Sequence, residues 1–184
     1  ADFVLRSFID RERGGNWKLI LQEKTGGTRI EGHAGGWGIV LLSMLELYRA
    51  DGDLRWLKGM REVNELLIRD HLQPHGAPSA PGEHLGGKGP YLPTELCDPF
   101  WWIWWWTEMT VLTGEPGFAD LAEVAAFNAL PGSRSKDGRL TAYFSCPNQL
   151  LAEKGARKQM RFHTHYPARL YIECCQSNAP RALP

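Results

Sequence analysis

The sequence predicts an all-α protein assembled from repeated helical hairpins. Two stretches, 33–71 and 95–130, each hold a long apolar helix, a turn and a second helix, and they start about 60 residues apart. The turns pair glycine with an acidic residue, as Gly52-Asp53 and Gly114-Glu115. Such a hairpin cannot bury its apolar faces alone. We therefore expect the hairpins to stack, as a solenoid or as a closed double ring.

The first hairpin is predicted from helical spacing and from a capping residue. Its first helix, 33–50, has one broad apolar face that includes Trp37, Leu41 and Met44. Asp53 follows the turn and is a good N-cap for a second helix, which runs from Leu54 to about residue 71. Apolar residues on one side and charged residues on the other make this second helix amphipathic.

The second hairpin opens with the segment FWWIWWW, residues 100–106, in which every side chain is large and apolar. A helix that is apolar on all sides is expected to be buried on all sides. Asp98 is predicted to cap this helix, with Pro99 at its first position. A partner helix is predicted over Phe118–Leu130.

The connecting segments are more irregular. Residues 72–92 are rich in proline and glycine, and a loop of this length in a compact domain is usually functional or disordered. Residues 139–145 alternate between apolar and polar side chains, which predicts a minor strand. Residues 146–170 are expected to be irregular, and a last helix is expected to begin at the Cys174-Cys175 pair.

Length and charge restrict the classes of function. The 184 residues suffice for about one domain. We expect residues 1–184 to form part of a single helical domain. Because the sequence starts without Met, we interpret it as a fragment. The 21 basic and 21 acidic residues cancel, so no overall field favours nucleic acid or an anionic membrane. No apolar run has the roughly 20 residues of a membrane span. A homo-oligomer stays open.

Four residues suited to metal binding form the main chemical constellation. Glu95 and Cys97 stand two residues apart at the start of the tryptophan-rich helix, and Cys174 and Cys175 are adjacent. Neighbouring cysteines seldom bridge each other, so the pair is better interpreted as reduced thiols, which favours a cytoplasmic protein. Three thiolates and a carboxylate suit tetrahedral zinc. Buried free cysteines beside a capping glutamate are the alternative.

Two segments resemble a known family. LPTELCDPFWWI, residues 92–103, and YIECCQSNAPRAL, residues 171–183, are similar to the Glu-x-Cys and Cys-Cys-x-x-Asn-x-x-Arg motifs of glycoside hydrolase family 127, the β-L-arabinofuranosidases formerly called DUF1680. EGHAGGWGIVLLSMLELYRADGD, residues 31–53, resembles the family's Gly-His-containing helix and its closing turn. The resemblance covers residues 28–184.

The resemblance implies a fold, a metal and a reaction. The fold would be an (α/α)6 barrel, of which this chain holds a part. The metal would be zinc, held by Glu95, Cys97, Cys174 and Cys175. The reaction would be retaining hydrolysis of a terminal L-arabinofuranoside in a small carbohydrate or glycan, with Cys174 as nucleophile in place of the usual carboxylate.

The same resemblance implies a general acid. The family has a Gly-Glu-x-Phe-Gly-like stretch before its Glu-x-Cys motif, and PGEHLG, residues 81–86, matches it, which makes Glu83 the acid/base candidate. The sequence departs from the family pattern at Leu85, where an aromatic residue is expected, and at Thr94, where asparagine is expected. A glutamate on a solvated loop is the alternative interpretation of Glu83.

Three histidines are predicted to contact the sugar. They are His33, which precedes the first helix, and His163 and His165, which precede the cysteine pair. The alternatives are a hydrogen-bonded core histidine for His33 and an exposed basic loop for the other two. Two other classes of protein stay open as well. One is a non-catalytic helical scaffold with a structural zinc, and the other is a thiol-redox protein that uses Cys174-Cys175.

Overall fold

The computed structural model describes residues 21–24, 27–134, 140–147, 165–167 and 174–178. Two helical hairpins dominate it. The helices are α1 (Ala34–Asp51), α2 (Leu54–Asp70), α3 (Cys97–Thr113), α4 (Pro116–Val124), α5 (Leu130–Gly132) and α6 (Cys174–Asn178). A π-helical turn, Ala125–Ala129, joins α4 to α5, and a 3-10 turn, Pro81–Glu83, lies in the long loop.

The first hairpin has the capping that the sequence predicts. Asp53 is the N-cap of α2, and its carboxylate accepts a hydrogen bond of 2.9 Å from the Arg55 backbone N–H. His33 caps α1 in the same way, although histidine is not among the preferred capping residues. Gly52 and Gly114 end α1 and α3 with φ values of 68° and 72°, which glycine adopts without strain.

The start of α3 differs from the prediction. The helix begins at Cys97, and Asp98 does not cap it. Instead, the Asp98 carboxylate turns back and accepts a hydrogen bond from the Glu95 backbone N–H at 3.3 Å. Asp98 is fully buried as a result, and it fixes the turn between Glu95 and the helix.

The tryptophan-rich helix is buried on most but not all sides. Trp102, Trp105 and Trp106 are fully buried, whereas 43% of Trp104 is exposed. The expectation of a helix enclosed all round is therefore wrong at Trp104, whose ring stacks on that of Trp101 with an interplanar angle of 10°. The stacking covers one face of each ring.

The two hairpins meet through their first helices. α1 packs against α2 and α3, and α3 also packs against α4 and α6. Gly38 allows the close approach of α1 and α3, since a Cβ atom there would lie 2.6 Å from Trp101 Cβ. The first helices of the hairpins therefore form one layer and their second helices cover it, as in a ring of helical hairpins.

Three short antiparallel strand pairs accompany the helices. They are β1 (Leu21–Lys24) with β2 (Gly27–Ile30), β3 (Thr94–Glu95) with β5 (Phe144–Ser145), and β4 (Leu140–Ala142) with β6 (His165–Pro167). The strand predicted over 139–145 is confirmed as two pieces that are interrupted at Tyr143. The expectation of irregular structure over 146–170 is wrong at β6, because its pairing with β4 is non-local.

The second helix of the second hairpin begins earlier than predicted, and helical structure continues beyond its predicted end. The prediction of a partner helix over Phe118–Leu130 is confirmed, but α4 begins two residues earlier at Pro116, a residue suited to the first helical position. Helical structure then continues through α5 to Gly132.

None of the helices described combines the length and the apolar character that a membrane span requires.

Candidate active site

Three separate elements bring one carboxylate and three thiols together. Glu95 ends β3, Cys97 begins α3, and Cys174 and Cys175 begin α6. One ligand atom from each residue lies within 4.8 Å of the others. The Sγ atoms of Cys97 and Cys175 are 3.2 Å apart, and Glu95 Oε1 lies 3.4 Å from Cys175 Sγ and 3.8 Å from Cys174 Sγ. We call Glu95, Cys97, Cys174 and Cys175 the ligand cluster.

Backbone pairing and one side-chain hydrogen bond hold the ligand cluster in place. β3 pairs with β5, with Glu95 opposite Phe144, and the Leu96 N–H donates to the Tyr143 carbonyl at 2.9 Å. From α6, the Asn178 side-chain amide donates to Cys97 Sγ at 3.7 Å. The residues are far apart in sequence, so the fold rather than a local loop assembles the cluster.

The chemistry of the ligand cluster suits a metal ion. All three cysteines are free thiols, and Glu95 is fully buried with its Oε2 atom lacking a hydrogen-bond partner. Sulfur atoms bound to one tetrahedral zinc are about 3.8 Å apart, given a Zn–S distance of about 2.3 Å. The observed separations require only small shifts to reach that arrangement.

Without a cation, the ligand cluster retains protons. Burial, followed by the negative charge of Cys174, raises the pKa of Glu95 to about 7. Burial and hydrogen bonding to Cys174 raise the pKa of Cys175, whereas hydrogen bonds from Cys175 and Cys97 lower the pKa of Cys174. One thiolate is thus favoured at Cys174, whereas the thiols of Cys97 and Cys175 stay protonated until a positive charge compensates for them.

Glu83 lies at the same site in an unusual backbone conformation. It is the only described residue other than glycine with a positive φ, 73°. The left-handed region is costly for a side chain with a Cβ atom, and such strain clusters at functional sites. The loop is anchored to the start of the first hairpin, because the Leu85 N–H donates to the Gly32 carbonyl at 2.8 Å.

Tyr143 connects Glu83 to the ligand cluster. Its hydroxyl donates to Glu83 Oε1 at 2.5 Å and lies 3.5 Å from Cys174 Sγ. Burial and hydrogen bonds to Cys174 and Glu83 raise the pKa of Tyr143, so the phenol stays protonated and acts as a donor. Both contacts share the Tyr143 hydroxyl oxygen, so the distance from Glu83 Oε1 to Cys174 Sγ cannot exceed the sum of the two contact distances.

Sequence reasoning missed Tyr143. The alternation over 139–145 assigned it to the polar face of a strand, but the residue sits at a bend and only 3% of it is exposed. A buried tyrosine needs a partner for its hydroxyl. The sequence holds no local signal for this role, because it depends on the non-local pairing of β3 with β5.

The structure places one of the three predicted histidines at the site. His33 Nε2 lies 3.6 Å from Glu95 Oε2, and His33 Nδ1 accepts a hydrogen bond from the Gly36 N–H at 3.1 Å. His163 lies outside the described residues. His165 belongs to β6, where the backbone alone is described. The remaining thiol, Cys146, donates to the Pro90 carbonyl at 3.1 Å and is not part of the ligand cluster.

Comparison with known proteins shows the fold. No protein-family model and no curated protein matches the sequence. A β-L-arabinofuranosidase of glycoside hydrolase family 127 from Geobacillus stearothermophilus T6 is similar in structure, with a TM-score of 0.66 and 19% identity over 83% of this chain. A second β-arabinofuranosidase of family 127 has a TM-score of 0.66 and 17% identity over 97% of this chain. A third structure, described as a glycoside hydrolase, has a TM-score of 0.55 and 17% identity over 61% of it.

These similarities confirm the predicted fold class, an all-α helical barrel that is present here in part. The chain spans 25%, 27% and 22% of the three structures, in the order given above. It therefore corresponds to about a quarter of each protein it resembles. The fold and the site together define part of a helical barrel, with a candidate metal site beside the N-termini of α1 and α3.

Proposed function

We propose that this chain belongs to glycoside hydrolase family 127 and forms part of the catalytic domain of a zinc-dependent retaining enzyme that releases terminal L-arabinofuranose-type sugars. One observation carries the proposal: the Tyr143 hydroxyl contacts both Glu83 and Cys174, beside the ligand cluster. A carboxyl group and a nucleophile separated by a short gap are what retaining hydrolysis needs. The proposed domain is a single (α/α)6 barrel to which all of residues 1–184 belong.

The ligand cluster would hold the zinc ion, with Glu95, Cys97, Cys174 and Cys175 as ligands. When bound, zinc would keep the sulfurs as thiolates at neutral pH and would lower their basicity. The buried Oε2 atom of Glu95, which lacks a hydrogen-bond partner, and the raised pKa values of Glu95 and Cys175 support a cation in this position.

Cys174 is the proposed nucleophile. It is the exposed member of the ligand cluster, whereas Cys97 and Cys175 are buried, so an incoming sugar reaches its sulfur first. The thiolate attacks the anomeric carbon as the bond from that carbon to the leaving oxygen breaks, which gives a thioglycosyl intermediate on Cys174. Water later displaces the thiolate from the sugar and releases the free enzyme.

Glu83 is the proposed acid and base. In the first step it donates a proton to the leaving oxygen, and in the second its carboxylate accepts a proton from the attacking water. The shared contact with Tyr143 limits its distance from Cys174 to a range compatible with the roughly 5–5.5 Å between the two reactive groups of retaining enzymes. Tyr143 donates a hydrogen bond to Glu83 Oε1 and thereby orients the carboxyl group.

The proposed partner is a carbohydrate or glycan with a terminal L-arabinofuranoside. His33, His163 and His165 are proposed to contact its hydroxyl groups. The reduced thiols support a cytoplasmic location, where disulfides seldom persist.

A mechanism-based arabinofuranosyl inactivator tests the proposal. Mass spectrometry of the labelled protein should find one sugar on the peptide that contains residues 174–175. Cys174→Ser should abolish labelling, whereas Cys175→Ser should retain labelling in whatever fraction of the protein still binds zinc. If a zinc-loaded Cys175→Ser variant is not labelled while Cys174→Ser is labelled, the assignment of Cys174 as the nucleophile is wrong. Zinc binding without any labelling or hydrolysis would favour a non-catalytic scaffold.

A further inference from the structure

We infer that His33 is a positioning residue for the Glu95 carboxylate: its Nε2–H is the partner of Glu95 Oε2, which leaves Oε1 to face the metal. The inference rests on the proposed metal site, and it replaces the proposed sugar contact of His33, because both ring nitrogens are then engaged. Three observations carry it: the hydrogen bond that His33 Nδ1 accepts, the two environments of the carboxylate oxygens, and the lack of another partner for Oε2.

The capping contact of His33 determines where its proton lies. His33 Nδ1 accepts a hydrogen bond from the Gly36 N–H at the start of α1. A ring nitrogen that accepts a hydrogen bond carries no proton, so the neutral imidazole must have its N–H at Nε2. The helix cap therefore selects the tautomer that can donate from the opposite side of the ring.

The two oxygens of Glu95 face different surroundings. Oε1 faces sulfur, at 3.4 Å from Cys175 Sγ and 3.8 Å from Cys174 Sγ. Oε2 is buried without a hydrogen-bond partner, and His33 Nε2 lies 3.6 Å from it, just beyond hydrogen-bond length. A buried carboxylate oxygen without a donor is costly, and a small rotation of the carboxylate brings these two atoms together.

This arrangement resembles the outer hydrogen bonds that orient ligands in metal sites. A carboxylate whose second oxygen is held by a donor presents its first oxygen in a fixed direction. The same residue also connects the site to the acid loop, since His33 and His84 form an antiparallel backbone bridge next to Glu83. His33 thus orients the metal ligand with its ring and holds the loop with its backbone.

Two substitutions separate the two functions of the ring. Asn places its side-chain oxygen near the position of Nδ1, so His33→Asn keeps the cap and removes the donor to Glu95. Gln places its amide near the position of Nε2, so His33→Gln keeps a donor and weakens the cap. His84→Asn is the matched control, because His84 takes part in the bridge through its backbone.

Zinc affinity is measured by competition with a chelator, and the Co²⁺-loaded protein provides an absorption spectrum that reports ligand geometry. We expect His33→Asn to lower zinc affinity by about 10- to 100-fold, to change the Co²⁺ spectrum, and to lower the melting temperature of the metal-free protein only through the lost donor, since the helix cap is kept. His33→Gln should lower that melting temperature and keep most of the affinity. His84→Asn should behave as the wild type.

The outcomes are distinct. Equal zinc affinity and equal Co²⁺ spectra in the wild type and His33→Asn would overturn the role of His33 while leaving the proposed metal site intact. Equal losses of affinity in His33→Asn and His33→Gln would also overturn it, because the donor would then have no separate effect. A wild-type protein that binds no zinc would overturn the proposed site itself and the role of His33 with it.

Discussion

The Tyr143 hydroxyl donates a hydrogen bond of 2.5 Å to Glu83 Oε1, and only 3% of the tyrosine is exposed. The same hydroxyl lies 3.5 Å from Cys174 Sγ. A single phenol thus touches the proposed acid and the proposed nucleophile. Because it contacts both groups, the tyrosine defines how they lie relative to each other.

Removal of this hydroxyl should impair catalysis more than folding. In Tyr143→Phe, Glu83 loses a donor and the Cys174 thiolate loses a contact, so we expect kcat to fall by about 10- to 100-fold, less than for loss of the acid itself. Zinc content should be unchanged, because Tyr143 is not a ligand. Steady-state kinetics on an aryl arabinofuranoside measures the first effect and elemental analysis the second.

Tyr91→Phe is the matched control, since 63% of Tyr91 is exposed and it lies outside the site. It should keep wild-type kinetics. A Tyr143→Phe variant with wild-type kcat would show that the Tyr143 hydroxyl does not contribute to catalysis.

Substitution of the acid should depend on the leaving group. Glu83→Gln cannot donate a proton, so hydrolysis of glycosides with poor leaving groups should slow by about 10²- to 10⁴-fold. Activated aryl glycosides need little protonation and should slow much less in the first step. A series of aryl arabinofuranosides measures how the loss of kcat/KM, which reports the first step alone, depends on the leaving group, and an equal loss of kcat/KM across the series would show that Glu83 is not the acid.

A single methyl group added at the contact between α1 and α3 should lower the stability of the protein. In Gly38→Ala the new Cβ atom would lie 2.6 Å from Trp101 Cβ and 3.1 Å from its backbone carbon, neither of which can move freely. We expect a loss of about 1–3 kcal/mol in the free energy of unfolding. Gly117→Ala in α4 meets no atom within 4 Å and should be neutral or stabilising. Urea denaturation of both variants measures the difference, and equal stability would show that α1 and α3 are not in this close contact.

The stability of the metal-free protein should depend on pH through Glu95. Its pKa is raised to about 7 from a usual value of 4.5. The folded protein therefore binds this proton more tightly than the unfolded chain, and the contribution of Glu95 to stability is lost as pH rises from about 4.5 to about 7. Bound zinc should reverse the loss, because a cation favours the ionised carboxylate.

The comparison of wild type with Glu95→Gln reports Glu95 together with the buried carboxyl group of Asp98, whose pKa is raised by burial and by the charge of Glu95. Burial lowers the pKa of His75 to about 4, so His75 contributes a slope of the opposite sign, with stability rising between pH 4 and 6.5. Both proteins share the His75 contribution, and it cancels in their difference. Chelator-treated samples unfolded in urea at several pH values give that difference, which should change between about pH 5 and pH 7. A constant difference would contradict the raised pKa of Glu95.

The sequence predicted those parts of the fold that depend on near neighbours. Asp53 caps α2 because its side chain reaches a backbone N–H two residues away, and helical spacing alone determines which face of α1 is buried. Residue chemistry was similarly sufficient to group Glu95 with the three cysteines, since three thiols and a carboxylate suit a zinc ion, and the fold brings one ligand atom of each residue within 4.8 Å of the others.

The parts that were missed depend on contacts between distant segments. Asp98 has the position of a cap, yet the pairing of β3 with β5 places the Glu95 N–H within its reach. Tyr143 belongs to the site because the same pairing brings its bend against the Glu-x-Cys stretch. Trp104 is exposed because burial depends on which helices are adjacent, and the apolar character of a helix does not specify its neighbours.

The metal content of the purified protein tests the central claim most directly. Elemental analysis should find one zinc ion per chain before chelation and none after it. Removal of the zinc should abolish both the labelling of Cys174 and hydrolysis. Reduced protein that contains no zinc and in which all four cysteines titrate as free thiols would contradict the metal site. A disulfide formed under mild oxidant in such a protein would favour thiol-redox chemistry instead.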